Sequence, residues 1–122
     1  MKNNKPLKIY LSGPYSSKSK KKRLVNVKIA MMGGIAIFMK GHYPYIPHLL
    51  HFVNEEAKKM NIYFKDESIM QWDKVWLETC DAILYYDSSG KSRGAKDELI
   101  LAKDLKKIIF YSIDQIPDVK GK

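Results

Sequence analysis

The chain has 122 residues, a formal net charge of +9, 45% hydrophobic and 11% aromatic residues, and one cysteine, Cys80. That length and apolar content suit a single domain, read over residues 1–122, with a real core, and they exclude a disordered chain. A lone cysteine excludes an internal disulfide framework and a multi-cysteine metal site, and it fits a reducing cytoplasm.

The opening MKNNKPLKIYLSGPY is basic, but its apolar run is too short for a signal-peptide core. KIYLS (Lys8–Ser12) reads as a strand ending at the turn Gly13-Pro14. The basic run KSKKKR (Lys18–Arg23) follows, then a long helix from Leu24 to Lys40, apolar on most faces and closed by Gly41. Within it IAMMGGIAIFM (Ile29–Met39) falls well short of the ~20 residues of a bilayer span, so the expectation is a soluble protein with no membrane. The Gly33-Gly34 pair is costly in a helix interior and points to close approach of another backbone, a subunit interface included. A helix this apolar also predicts a homodimer or larger assembly.

HYPYIPHLLHF gives a short extended piece broken by Pro44 and Pro47, then a helix from about Leu49 to Met60. Asp66–Cys80 reads as a helix with Asp66 as its cap, Asp81–Tyr86 as a buried strand, and SSGKSRG as a loop. Ala95–Leu105 reads as a helix and Lys106–Ser112 as a last strand. Strands alternating with helices predict an α/β, flavodoxin-like (Rossmann-like) three-layer sandwich with a four- or five-stranded parallel sheet. Ligands of such sheets bind beyond the carboxyl ends of the strands. Three segments that follow strand ends should therefore meet in one cleft: SGPYSS, PYIPH and DSSGKSRG.

Two carboxylates stand out. Glu98 lies early in the helix after SSGKSRG, on a packed face, where an unpaired charge is expensive. Asp73 lies between Trp72 and Trp76 on the helix leading into the strand DAILYY, one helix–strand–loop unit before Glu98. Either could be an ordinary surface or rim carboxylate. Together at one pocket they can divide nucleophilic and acid/base work, as in retaining glycosidases, whose carboxyls are about 5–5.5 Å apart.

The residues IYLSG (Ile9–Gly13), PYIPHLLHF (Pro44–Phe52), WDKVWLETCDAIL (Trp72–Leu84) and SRGAKDEL (Ser92–Leu99) make the chain similar to the nucleoside 2-deoxyribosyltransferase family. Its relatives, the deoxynucleoside 5′-monophosphate N-glycosidases and CMP-type N-ribohydrolases, share the pattern. The resemblance runs from KIYLSGPYSS to ELILA, most of the chain. It implies a small flavodoxin-like oligomer that cleaves the N-glycosidic bond of a nucleoside or nucleotide through a covalent glycosyl-enzyme, with no cofactor. It further implies that Glu98 attacks the anomeric carbon, that Asp73 assists the departing base, and that Tyr10 orients the nucleophile. His48 would lie beside the substrate. Ser12, Gly13 and Tyr15 would contact it from the first loop, and Ser92, Arg93 and Gly94 from the second.

Position 92 bears on the substrate. The nucleoside branch tends to carry aspartate there and the monophosphate branch serine. A hydroxyl and backbone N–H groups at a helix start bind a phosphate that a carboxylate would repel. Ser92 thus favours a nucleoside 5′-monophosphate. The first loop, PYSSKSK, lacks the arginine often found in the monophosphate branch, leaving Ser16, Ser17 or Lys18 for that role. His42, His48 and His51 lack a metal-ligand spacing, and the first loop lacks a P-loop pattern, so no metal is expected. Two other readings stand beside the enzyme: a non-catalytic nucleotide-binding or sensing module, and a basic protein contacting nucleic acid through Lys18–Arg23. The latter has no nucleic-acid-reading motif to accompany it.

Overall fold

A computed structural model describes residues 5–87 and 89–119. Ser88 of the loop, and the outermost ends of the domain read over 1–122, lie outside the described residues. In chain order the elements are β1 (Lys8–Ser12), α1 (Lys20–Met39), β2 (Tyr43–Tyr45), α2 (Leu50–Lys59), α3 (Asp66–Thr79), β3 (Ala82–Tyr85), α4 (Arg93–Asp104) and β4 (Ile108–Phe110). Short 3₁₀ turns cover Pro47–Leu49 and Ile113–Gln115. The four strands form one parallel sheet in the order β2-β1-β3-β4, which is the α/β architecture expected from the alternating pattern.

Side chains alternate across β1, and this decides both the core and the site. Ile9 and Leu11 face α1, packing with Ile37, Ala82, Leu84 and Phe110. Tyr10 faces the opposite layer, where Leu77 of α3, Ile83 and Ala102 of α4 close around it. Ser12, two residues on, shares the face of Tyr10.

Several boundaries differ from the sequence reading. Helix α1 starts at Lys20 rather than Leu24, because Ser19 is extended and its hydroxyl accepts the Lys22 N–H, capping the helix ahead of the lysines. Asp66 is not a cap. Lys65 holds the extended N-cap position without a side-chain bond, and Asp66 and Glu67 sit in the first turn, where they complement the helix dipole. The last strand is shorter than Lys106–Ser112, since Lys106 takes a positive φ of 59° and its N–H bonds to Lys103 O. At the end of α1, Gly41 has φ 95° and donates to Phe38 O, as a helix-closing glycine does. The Gly33-Gly34 pair has its reason inside the chain. A Cβ on Gly34 would collide with Ile46, and one on Gly33 would lie 3.1 Å from Leu11. No helix among the described residues is long and apolar enough to cross a membrane.

The outer face of α1 stays uncovered. Val25, Ile29, Met32, Ile35, Phe38 and Met39 are all exposed, Met39 to 74%. At the amino ends of the strands, His42 is fully buried. Its Nδ1 accepts the Leu7 N–H at 3.0 Å and its Nε2 lies 2.6 Å from Pro117 O.

Candidate active site

In this strand order the connections leave β1 and β3 in opposite directions, so the crevice opens where their carboxyl ends adjoin. A cleft of ≈ 1080 Å³ lies there. Its walls come from the Gly13–Ser16 loop, the Pro47–His51 segment, α3, and the start of α4.

Glu98 stands on the inner face of α4 between Ala95 and Ala102, both buried, whose small side chains leave it room. Tyr10 OH donates to Glu98 Oε2, and Ser12 Oγ donates to Glu98 Oε1 at 2.7 Å. Ser12 Oγ also lies 3.4 Å from Ala95 O, but its single proton serves the nearer carboxylate. Burial pushes the Glu98 carboxyl above the usual carboxylate range, while the two hydroxyl donors pull it back toward ionisation. The Tyr10 phenol, desolvated and facing Glu98, is held well above its ordinary range and stays a donor.

Asp73 reaches the same cleft from α3, one turn before the buried Leu77. Burial and the charge of Glu98 push its carboxyl up to about 7, against a weak opposing pull from Tyr45. Tyr45 OH lies 3.4 Å from Asp73 Oδ1. Two hydroxyl donors favour charge on Glu98, whereas Asp73 has one distant donor and faces Glu98, so the environments favour the proton on Asp73.

The remaining residues read from the sequence take these places. Gly13 lines the cleft, and a Cβ there would collide with the Tyr86 ring. Tyr15 lines it too, its OH 2.7 Å from His51 Nδ1. His48 is buried with Nε2 3.2 Å from both Gly13 O and Pro14 O, so that nitrogen carries the proton. Its Nδ1 has no hydrogen-bond partner among the described residues, and burial lowers its affinity for a second proton. Ser92 caps α4, its hydroxyl accepting the Ala95 N–H at 3.3 Å; Arg93 and Gly94 are exposed at the rim. Tyr10 and Ser12 do not line the cleft; they stand behind Glu98.

Tyr45 and Asp87 were not singled out from the sequence. Tyr45 pairs in register with Tyr10 across β1 and β2, stacks on it at 5.4 Å, and stacks on Trp76 at 5.6 Å. Asp87 is buried and ties the second loop. It accepts Ser89 Oγ at 2.7 Å and the Ser92 N–H at 2.8 Å, which fixes the start of α4 and hence Glu98. Its signal was present in DSSG, an aspartate followed by small polar residues after a strand.

Fold and site together define a parallel α/β domain with two carboxylates in a cleft at the switch point of its sheet. Residues 7–112 match the model of a domain of unknown function, DUF7768, and the chain belongs to that family. No curated protein matches the chain.

Proposed function

We propose that the protein cleaves the N-glycosidic bond of a nucleoside or (deoxy)nucleoside 5′-monophosphate through a glycosyl-enzyme intermediate. The observation that carries this reading is the unequal pair: Glu98, held by Tyr10 and Ser12, and Asp73, with its carboxyl up to about 7, in one cleft. In the first step Glu98 attacks C1′ while Asp73 gives its proton to the departing base nitrogen. In the second, water or another base gives its proton to the Asp73 carboxylate, bonds to C1′ and releases the glutamate. Tyr10 and Ser12 aim the nucleophile, and the buried walls keep it desolvated. The resemblance of SRGAKDEL and WDKVWLETCDAIL to the deoxyribosyltransferase motifs supports the same assignment.

A phosphate fits the start of α4. Ser92 caps the helix with its oxygen and keeps its own proton for a ligand, and Lys91 and Arg93 line the cleft beside it. This favours the monophosphate over the nucleoside. The uncovered face of α1 supports a homodimer or larger assembly, and the lone buried thiol of Cys80 suits a reducing cytoplasm.

The test is a panel of nucleosides and nucleoside monophosphates scored for free base by chromatography, with and without an added acceptor base. Glu98→Gln keeps the shape and one of the two acceptor oxygens but cannot form the glycosyl ester, so kcat should fall by about 10³-fold or more while ligand affinity persists. Wild-type base release by that variant would refute the assignment. Binding of nucleotides without base release by the wild type would favour a sensing module.

A further inference from the structure

The inner layer of the sheet carries two tyrosines, one for each carboxylate. Tyr10 on β1 donates to Glu98 and Tyr45 on β2 donates to Asp73. Residues 10 and 45 are register partners, and their rings stack at 5.4 Å with 29° between planes. Trp76 of α3 closes the far side of Tyr45 at 5.6 Å and 15°. Trp76 lies one helical turn from Asp73, so the stack and the carboxyl belong to the same helix face.

We propose that Tyr45 is a positioning residue: sandwiched between Tyr10 and Trp76, it fixes the placement of Asp73 relative to Glu98 and stabilises the Asp73 carboxylate left after proton transfer. This inference rests on the two-carboxylate reading above and adds a residue to it. The sheet sets the spacing of the tyrosines, because adjacent strands lie about 4.7–4.9 Å apart. Two stacked phenols on adjacent strands thus each hold one of the two carboxylates from a rigid element rather than from a loop. When Asp73 gives its proton to the base, the new carboxylate accepts the Tyr45 O–H; when the proton returns, the bond weakens.

The groups facing Asp73 are Glu98 on α4, Tyr45 on β2 and Tyr10 on β1. The other charged residues lining the cleft are Asp66, Glu67, Lys74, Lys91, Arg93 and Asp97. Of these neighbours Tyr45 is the hydrogen-bond donor to Asp73, so removing its hydroxyl withdraws more stabilisation from the charged form than from the neutral one.

Tyr45→Phe keeps the stack and removes the donor. In the full-length protein, the Asp73 side-chain carboxyl is followed by ¹³C NMR against pH in wild type and variant, with Asp73→Asn assigning the signal. The expected result is a midpoint moved to higher pH in Tyr45→Phe. On the best substrate of the panel, kcat should fall about two- to tenfold with KM unchanged, and the alkaline limb of the rate profile should move up in parallel. Tyr45→Leu, which also breaks the stack, should cost more in kcat than Tyr45→Phe. An Asp73 titration in Tyr45→Phe that superimposes on the wild-type curve would overturn the inference. That reading needs no turnover, so a wild type that releases no base defeats the proposed reaction and leaves the Tyr45 test intact.

Discussion

Asp73→Asn should make the protein more stable in alkaline solution. The folded chain holds the Asp73 carboxyl at about 7 against an ordinary value of 3.8. Below 3.8 both folded and unfolded chains carry the proton, and the group does not affect folding. Between the two values the unfolded chain has released a proton that the folded chain keeps, so stability falls as pH rises. Above about 7 the deficit is complete. At about 1.36 kcal/mol per pH unit the full difference is roughly 4 kcal/mol. Asp73 is only partly buried, and solvent screening reduces this to about 2 kcal/mol. Asparagine has nearly the same shape, offers Tyr45 the same acceptor oxygen, and carries no charge to desolvate. Thermal melts at pH 8 should therefore place the variant about 6–10 °C above wild type, with the gap closing as pH falls toward 4. A gap independent of pH, or a variant less stable at pH 8, would refute the reasoning. The gain should coincide with a loss of rate on substrates whose bases leave poorly, as expected where a strained site is relieved.

Tyr10→Phe removes one of two donors to Glu98, so kcat should fall about 10- to 100-fold and the acid limb of the rate profile should move to higher pH, read by steady-state kinetics. Gly34→Ala places a methyl group against Ile46 and should cost about 1–3 kcal/mol in urea denaturation, without changing the pH dependence of the site. Met32→Glu puts a charge in the middle of the exposed face of α1; light scattering should show an oligomeric wild type and a monomeric variant.

The sheet and its helices were legible because the apolar periods are strong. Ile9, Leu11 and Ile83 alternate or run as buried strands do, and the helices between them are long. Glycine and serine punctuation placed Gly41 and the second loop. Helix starts were less legible. The lysines at the head of α1 look like a solvated loop until the Ser19 cap is seen, and Asp66 has the chemistry of a cap without its place. Glu98, Asp73, Tyr10 and His48 could be picked out on residue type and motif. Tyr45 could not, since its role comes from a strand pairing 35 positions away in sequence and from a stack that no local pattern records. Ser12 was expected to contact the substrate, but the face it shares with Tyr10 turns its hydroxyl onto Glu98 behind the cleft.

The imidazole of His42 gathers Leu7 and Pro117 onto one ring, so the first and last parts of the described chain meet at the end of the sheet opposite the cleft. The same closeness suits circular permutation of the described residues: a short linker from the Val119 side to the Leu7 side would let new termini open in the surface turn after α2, near Asn61, leaving the sheet order and the cleft intact.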